Sequence, residues 1–327
     1  MHRSPTRRSR LLLLAALALL IALPACVQER ANPPEAGPGG VRVVATTNIV
    51  ADLVRQVGGD RVRVEALMGP GIDPHAYKAS AGDVRRLRQA TLIVYGGLEL
   101  EGKMADVFAD LGTRIPTVAV AEGLPEDRLI PVPDFAGRYD PHVWNDPDLW
   151  GRAGLRLADA LAAADPAHAG EYRGRARAYR ARVQDLEARL REELAAVPPR
   201  RRVLVTSHDA FGYFGRAFDF EVAGIQGVST ATEASTADVD RIARLVAERG
   251  VRTIFVESSV PPQTVQAVRA AARARGAADV RVGEELYSDS AGDAGTPEGT
   301  YEGMLAHNVR AIRDGLADPA GVVVNPR

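Results

Sequence analysis

Along residues 41–315, short β-branched runs alternate with stretches whose apolar positions recur every three to four residues. VRVVATT (41–47), VRVEALM (62–68), TLIVYGG (91–97), RVLVTS (202–207) and VRTIFVE (251–257) read as strands. NIVADLVRQVGG (48–59) reads as a helix stopped by glycines, and SAGDVRRLRQA (80–90) as a helix opened by a Ser80/Asp83 capping box. In the second half, a helix runs from Ser235 to a stop at Gly250. PPQTVQAVRAAARARG (261–276) and PEGTYEGMLAHNVRAIRDG (297–315) supply two more. Strand–helix alternation of this kind predicts an α/β fold of two lobes, each a parallel sheet covered by helices on both faces.

Between the halves lies a proline-bounded segment, residues 166–199, with no proline inside it. Apolar residues at 172, 179, 183, 186, 190, 194 and 197 form one amphipathic stripe, which predicts a single rigid linking helix. The stripe covers only about four heptads and opens on a glycine and several alanines, so packing across both lobes is preferred to a coiled-coil partner. The expected organisation is an N-terminal lobe over 41–165, the linking helix over 166–199 and a C-terminal lobe over 200–327.

The N-terminus follows a different pattern. Arg3, Arg7, Arg8 and Arg10 precede the apolar run LLLLAALALLIAL (11–23), without an acidic residue. Such a run is shorter than the roughly 20 residues a membrane span needs, so residues 1–25 are expected to be a signal peptide. LPAC ends the run at Cys26, the only cysteine in the chain, and resembles the lipobox of bacterial lipoproteins. A lipid anchor on Cys26 is therefore expected, followed by a flexible tether over 26–40 rich in proline and glycine. The mature chain would lie outside the cytoplasm, in a periplasm or on the outer face of the cytoplasmic membrane.

Composition narrows the partners. A chain of 327 residues with 46% hydrophobic content can bury a sizeable core. Loss of the leader removes four arginines and no acid, taking the formal charge from −1 to −5 and arguing against a nucleic-acid partner. A cysteine-free folded body has no disulfides, so its stability rests on the core.

Three of the six histidines fall where parallel sheets bind ligands, in or beside loops at the carboxyl ends of strands. His75 follows VRVEALM through GPGIDP, His142 lies in YDPHVWNDP, and His208 follows RVLVTS. His2 is in the leader, His168 on a polar helix face and His307 inside the last helix. Imidazole is a common ligand for zinc and other first-row divalent metals, and a carboxylate would complete a four-donor site. LYSDSAGDAG (286–295) offers Asp289 and Asp293, and spacing alone does not choose between them.

Six ordered motifs carry a resemblance: GPGIDPHAYKASAGDV (69–84), DPHVWNDPDLW (140–150), LVTSHDAFGYFGRAF (204–218), GIQGVSTATEAS (224–235), VESSVPP (256–262) and LYSDSAGDAGTPEGTYEGM (286–304). In order and spacing they resemble the TroA-like zinc/manganese receptors of bacterial ABC importers, across essentially all of residues 41–315. The resemblance implies two α/β lobes joined by a long rigid helix, with a metal held in the cleft. The ligands it implies are His75 and His142 from the first lobe and His208 and Asp289 from the second, which selects Asp289 over Asp293.

A histidine at 208, where the manganese-dedicated branch has a glutamate, favours zinc, with manganese or iron(II) as alternative cargoes. Zinc-dedicated relatives often carry a histidine-rich acidic loop before the second ligand; residues 121–139 here contain no histidine. The expected chain is a non-enzymatic, monomeric solute-binding protein that delivers its metal to an ABC permease. The competing reading is a secreted zinc hydrolase, for which Glu257 in VESS is the candidate general base. Histidine ligation predicts that metal affinity falls as pH drops through about 6.5.

Overall fold

The computed structural model describes residues 40–132 and 139–317. The expected leader, Cys26 and nearly all of the tether lie outside the described residues, as do the last ten residues of the expected C-terminal lobe. Among the described residues, no helix is long and apolar enough to cross a membrane.

In the first lobe, β1 (Val41–Ala45), β2 (Val62–Ala66), β3 (Leu92–Tyr95) and β4 (Thr117–Ala119) form a parallel sheet in the order β2-β1-β3-β4. Helices α1 (Asn48–Gly58), α2 (Ala81–Arg88) and α3 (Ala105–Gly112) connect these strands. The Ser80/Asp83 capping box opens α2 as the sequence predicts. Neither β4 nor α3 is legible in the periodicity: β4 has three residues and α3 eight, too few to display a period.

Helices α4 (Pro147–Ala164) and α5 (Ala169–Leu194) follow as an antiparallel pair turned at Asp165 and Pro166. The expected linking helix is thus shorter than 166–199. Pro166–His168 forms a separate 3-10 turn, and the helix ends at Leu194, before Pro198 and Pro199. At 1.5 Å per residue, its 26 residues span about 39 Å. All seven stripe residues, from Tyr172 to Val197, are buried.

The second lobe contains β5 (Val203–His208), α6 (Gly212–Phe218), β6 (Glu221–Gln226), α7 (Thr236–Arg249), β7 (Thr253–Ile254), α8 (Gln263–Ala274), β8 (Arg281–Val282) and α9 (Tyr301–Leu316). β5 pairs with β6 and β7 with β8, all parallel, and the Phe255 N–H donates to the Val205 carbonyl to join the pairs. The resulting order, β6-β5-β7-β8, repeats that of the first sheet. Gly250 closes α7 at φ 63°, a left-handed conformation in which glycine has no Cβ to clash.

One apolar cluster runs from Val41 in β1 through α1, α4 and α5 to Phe214 in α6 and Leu316 in α9. Two smaller clusters cover the other faces of the two sheets. The lobes therefore share a core along the linking helix.

Candidate metal centre

One predicted donor stands at the carboxyl end of a strand, and the other three lie in the longer connections. His75 lies in the turn-rich segment after β2, and His142 opens a 3-10 turn (Val143–Asn145) ahead of α4. His208 is the last residue of β5 rather than part of the following loop, and Asp289 comes after β8. Beside His208, β6 passes so close that a Cβ on Gly224 would stand 2.5 Å from the Asp209 nitrogen. Glycine there lets the second-lobe strands close against the site.

The structure brings all four residues together, with one ligand atom of each lying within 4.8 Å of the others. Nε2 of His142 lies 3.2 Å from Nε2 of His75 and 3.3 Å from Nε2 of His208. Asp289 presents Oδ1 at 3.3 Å from His142 and Oδ2 at 3.4 Å from His208. Three of the donors have no exposure and His75 has 4%. Asp293 stays outside this centre, exposed, with its carbonyl accepting from Thr296.

Two further carboxylates determine which nitrogens point inward. Asp140 Oδ1 accepts from the backbone N–H of His142 at 2.9 Å and lies 2.7 Å from its Nδ1. Glu257 accepts from the His208 N–H at 2.9 Å and holds Nδ1 at 2.5 Å. A proton on each Nδ1 leaves Nε2 with a lone pair whenever the ring is neutral. Asp289 Oδ1 is buried and accepts no hydrogen bond among the described residues, although Nε2 of His142 is near. Lone pairs and a carboxylate oxygen thus converge on one buried point. They repel one another unless protons or a cation stand between them.

The same crowding sets the protonation of the metal-free site. Burial disfavours a charged His142, but the carboxylates of Asp140 and Asp289 outweigh it and push its pKa up to about 9. Burial acts likewise on His208, where Glu257 and Asp289 win and the pKa rises well above the ordinary value. Among the described residues no carboxylate stands behind His75, and burial carries it down to about 3. Burial would raise Asp289, yet the two imidazoles hold it well below the carboxylate range. The pH window expected near 6.5 therefore moves upward for two of the three histidines.

The role of Asp140 was not legible from spacing, although a signal existed: Asp-Pro-His occurs at 73–75 and again at 140–142. Glu257, the candidate base of a hydrolase, has both oxygens committed to His208. His168 bonds Asp165 and His307 bonds the Glu285 carbonyl, so neither contributes to the centre.

A family model described as the periplasmic zinc-uptake complex component A, ZnuA, matches residues 43–315. The chain belongs to this family. Among members, the zinc-binding protein TroA of Treponema pallidum is 46% identical over 283 residues, covering 86% of this chain and 91% of its own. The manganese-binding lipoprotein MntA of Bacillus subtilis is 41% identical over 305 residues, covering 93% and 98%. The solved structure of the periplasmic zinc-binding protein TroA from T. pallidum superposes with a TM-score of 0.82 at 45% identity, covering 86% of this chain and all of the other. The ZnuA-family fold thus extends over both lobes and the long helix.

Proposed function

We propose that this chain is an extracytoplasmic receptor that captures a divalent transition metal, zinc before manganese, and delivers it to the permease of an ABC importer. His75, His142, His208 and Asp289 are the ligands in this reading. The observation that carries it is the convergence of three imidazole Nε2 atoms and one unsatisfied carboxylate oxygen in a buried site. Relatives named for zinc and for manganese are similarly close to this chain, so identity does not select the cargo. The donor set favours zinc: three nitrogens and one oxygen suit a tetrahedral zinc ion, whereas manganese prefers more oxygen.

The alternative hydrolase finds no support. Four protein donors leave a tetrahedral ion no open position for water, and the proposed base is engaged with His208. The family is one of transport receptors rather than enzymes. In keeping with lipoprotein relatives, the reading includes a lipid on Cys26, a tether to residue 40 and action as a monomer.

Protein purified from cells supplied with zinc, manganese and iron together should carry about one zinc per chain by mass spectrometry. His208→Ala should lose more affinity than the ~10–100-fold typical of an outer-shell change, whereas Asp293→Ala should bind as wild type. His208→Glu should shift preference toward manganese. Metal-free wild-type protein that takes up none of the three ions would overturn the reading.

A further inference from the structure

The two Asp-Pro-His tripeptides serve different ends. At 140–142, one carboxylate oxygen holds both the backbone N–H and the Nδ1 of the histidine. At 73–75, Asp73 Oδ1 takes only the backbone N–H, at 2.9 Å, while Oδ2 accepts from Thr230 Oγ1 across the cleft at 2.6 Å. Among the described residues, no carboxylate stands against Nδ1 of His75. Two of the three imidazoles are therefore braced from behind, and one is not.

The unbraced ring is also the only donor with measurable exposure. It forms part of the wall of a cavity of about 240 Å³ whose other walls include Leu98, Glu99, Pro141, Val228, Ser229 and Ala231. At about 30 Å³ per water, that volume admits an ion with a hydration shell of several waters.

Attachment between the lobes is uneven in the same direction. Near the braced ligands, Trp144 Nε1 donates to the Ser288 carbonyl at 2.9 Å, Asn145 Nδ2 to the Ala210 carbonyl at 2.9 Å, and Tyr213 OH to the Asp140 carbonyl at 2.8 Å, all buried. The loop before His75 is tied across the cleft by two partly buried bonds, Thr230 to Asp73 and the Gly71 N–H to Ser290 Oγ at 2.9 Å.

The structure assigns the metal's exchange route to the His75 side. The ion passes through this cavity, His75 is the last ligand to engage and the first to yield, and the Thr230–Asp73 hydrogen bond latches the loop that carries it. This inference rests on the receptor reading above. Water reaches the His75–metal bond from the cavity, so replacing that one imidazole by water starts release. A braced ring must break its carboxylate contact as well before it can swing away.

Zinc exchange on the full folded protein tests the route. Ala231→Trp, at an exposed position of the cavity wall, narrows the passage and replaces no ligand. Zinc release into excess chelator and zinc uptake by the metal-free protein, followed by stopped flow, should both slow by about tenfold, equivalent to about 1.4 kcal/mol on the barrier. Affinity from competition titration should be unchanged. Ser229→Trp, on the same wall, should behave alike, and Thr230→Val should speed release by about tenfold. Wild-type rates in both tryptophan variants would overturn the route, as would a loss of affinity with uptake unchanged. A wild-type protein that fails to bind zinc in the titration would instead sink the receptor reading, before any rate is compared.

Discussion

Nδ1 of His208 stands 2.5 Å from Glu257, and that contact aims Nε2 of a buried ring at the other candidate donors. Glu257→Gln keeps the shape and removes the charge, so zinc affinity should fall by about 10–100-fold with the fold intact, read by competition titration and circular dichroism. Unchanged affinity would show that Glu257 has no influence on the ligand. Protonation gives a second expectation at this scale. In the metal-free protein His142 keeps its proton up to about pH 9, and zinc must displace it. Affinity should therefore rise from pH 6.5 toward 9, by about tenfold per unit for each proton displaced. The metal-free stability that His142 contributes is fully present below about 6.5, the ordinary value, and is lost as pH rises through 9. A melting temperature that falls over that window without zinc but holds with zinc would match; affinity flat over it would not. The four candidate ligands are nameable from the sequence through the resemblance their motifs carry, but the bracing by Asp140 is not. Identical Asp-Pro-His tripeptides give a braced ring at 142 and an unbraced one at 75, and the difference lies in what faces each loop.

Helix α5 shows how much an element's pattern can reveal. Every residue of its predicted stripe is buried, because α4 and both lobes pack against one side of it. Its ends were overestimated, since apolar periodicity continues to Val197 although the helix stops at Leu194. Leu190→Ala in this stripe should cost about 2–5 kcal/mol, the usual range for a buried leucine cut to alanine. Denaturant unfolding measures it, and a loss below ~1 kcal/mol would contradict burial across both lobes. The short strands were harder to read. VRTIFVE has the composition of a full strand, yet only Thr253 and Ile254 pair with β8. β6, with glycine and a half-exposed face, announces itself only by its contact with β5.

Across the whole molecule, the shared cluster from β1 to α9 opposes wide separation of the lobes, since opening would expose part of it to water. Zinc should therefore leave the radius of gyration unchanged within the precision of small-angle scattering. A change of several ångströms would mean that the helix acts as a hinge. The sequence by itself determined the two-lobed α/β plan and the long helix, and its motifs named the candidate donors. Strand and helix periodicities are local, and ordered motifs carry family membership along the chain. Only the tertiary structure decided that three Nε2 atoms and Asp289 meet at one buried point, that Glu257 and Asp140 brace two of the rings, and that His75 faces a cavity. Those facts depend on distances between residues up to 214 positions apart, from His75 to Asp289, and such distances exist only once the two sheets pack against a common helix.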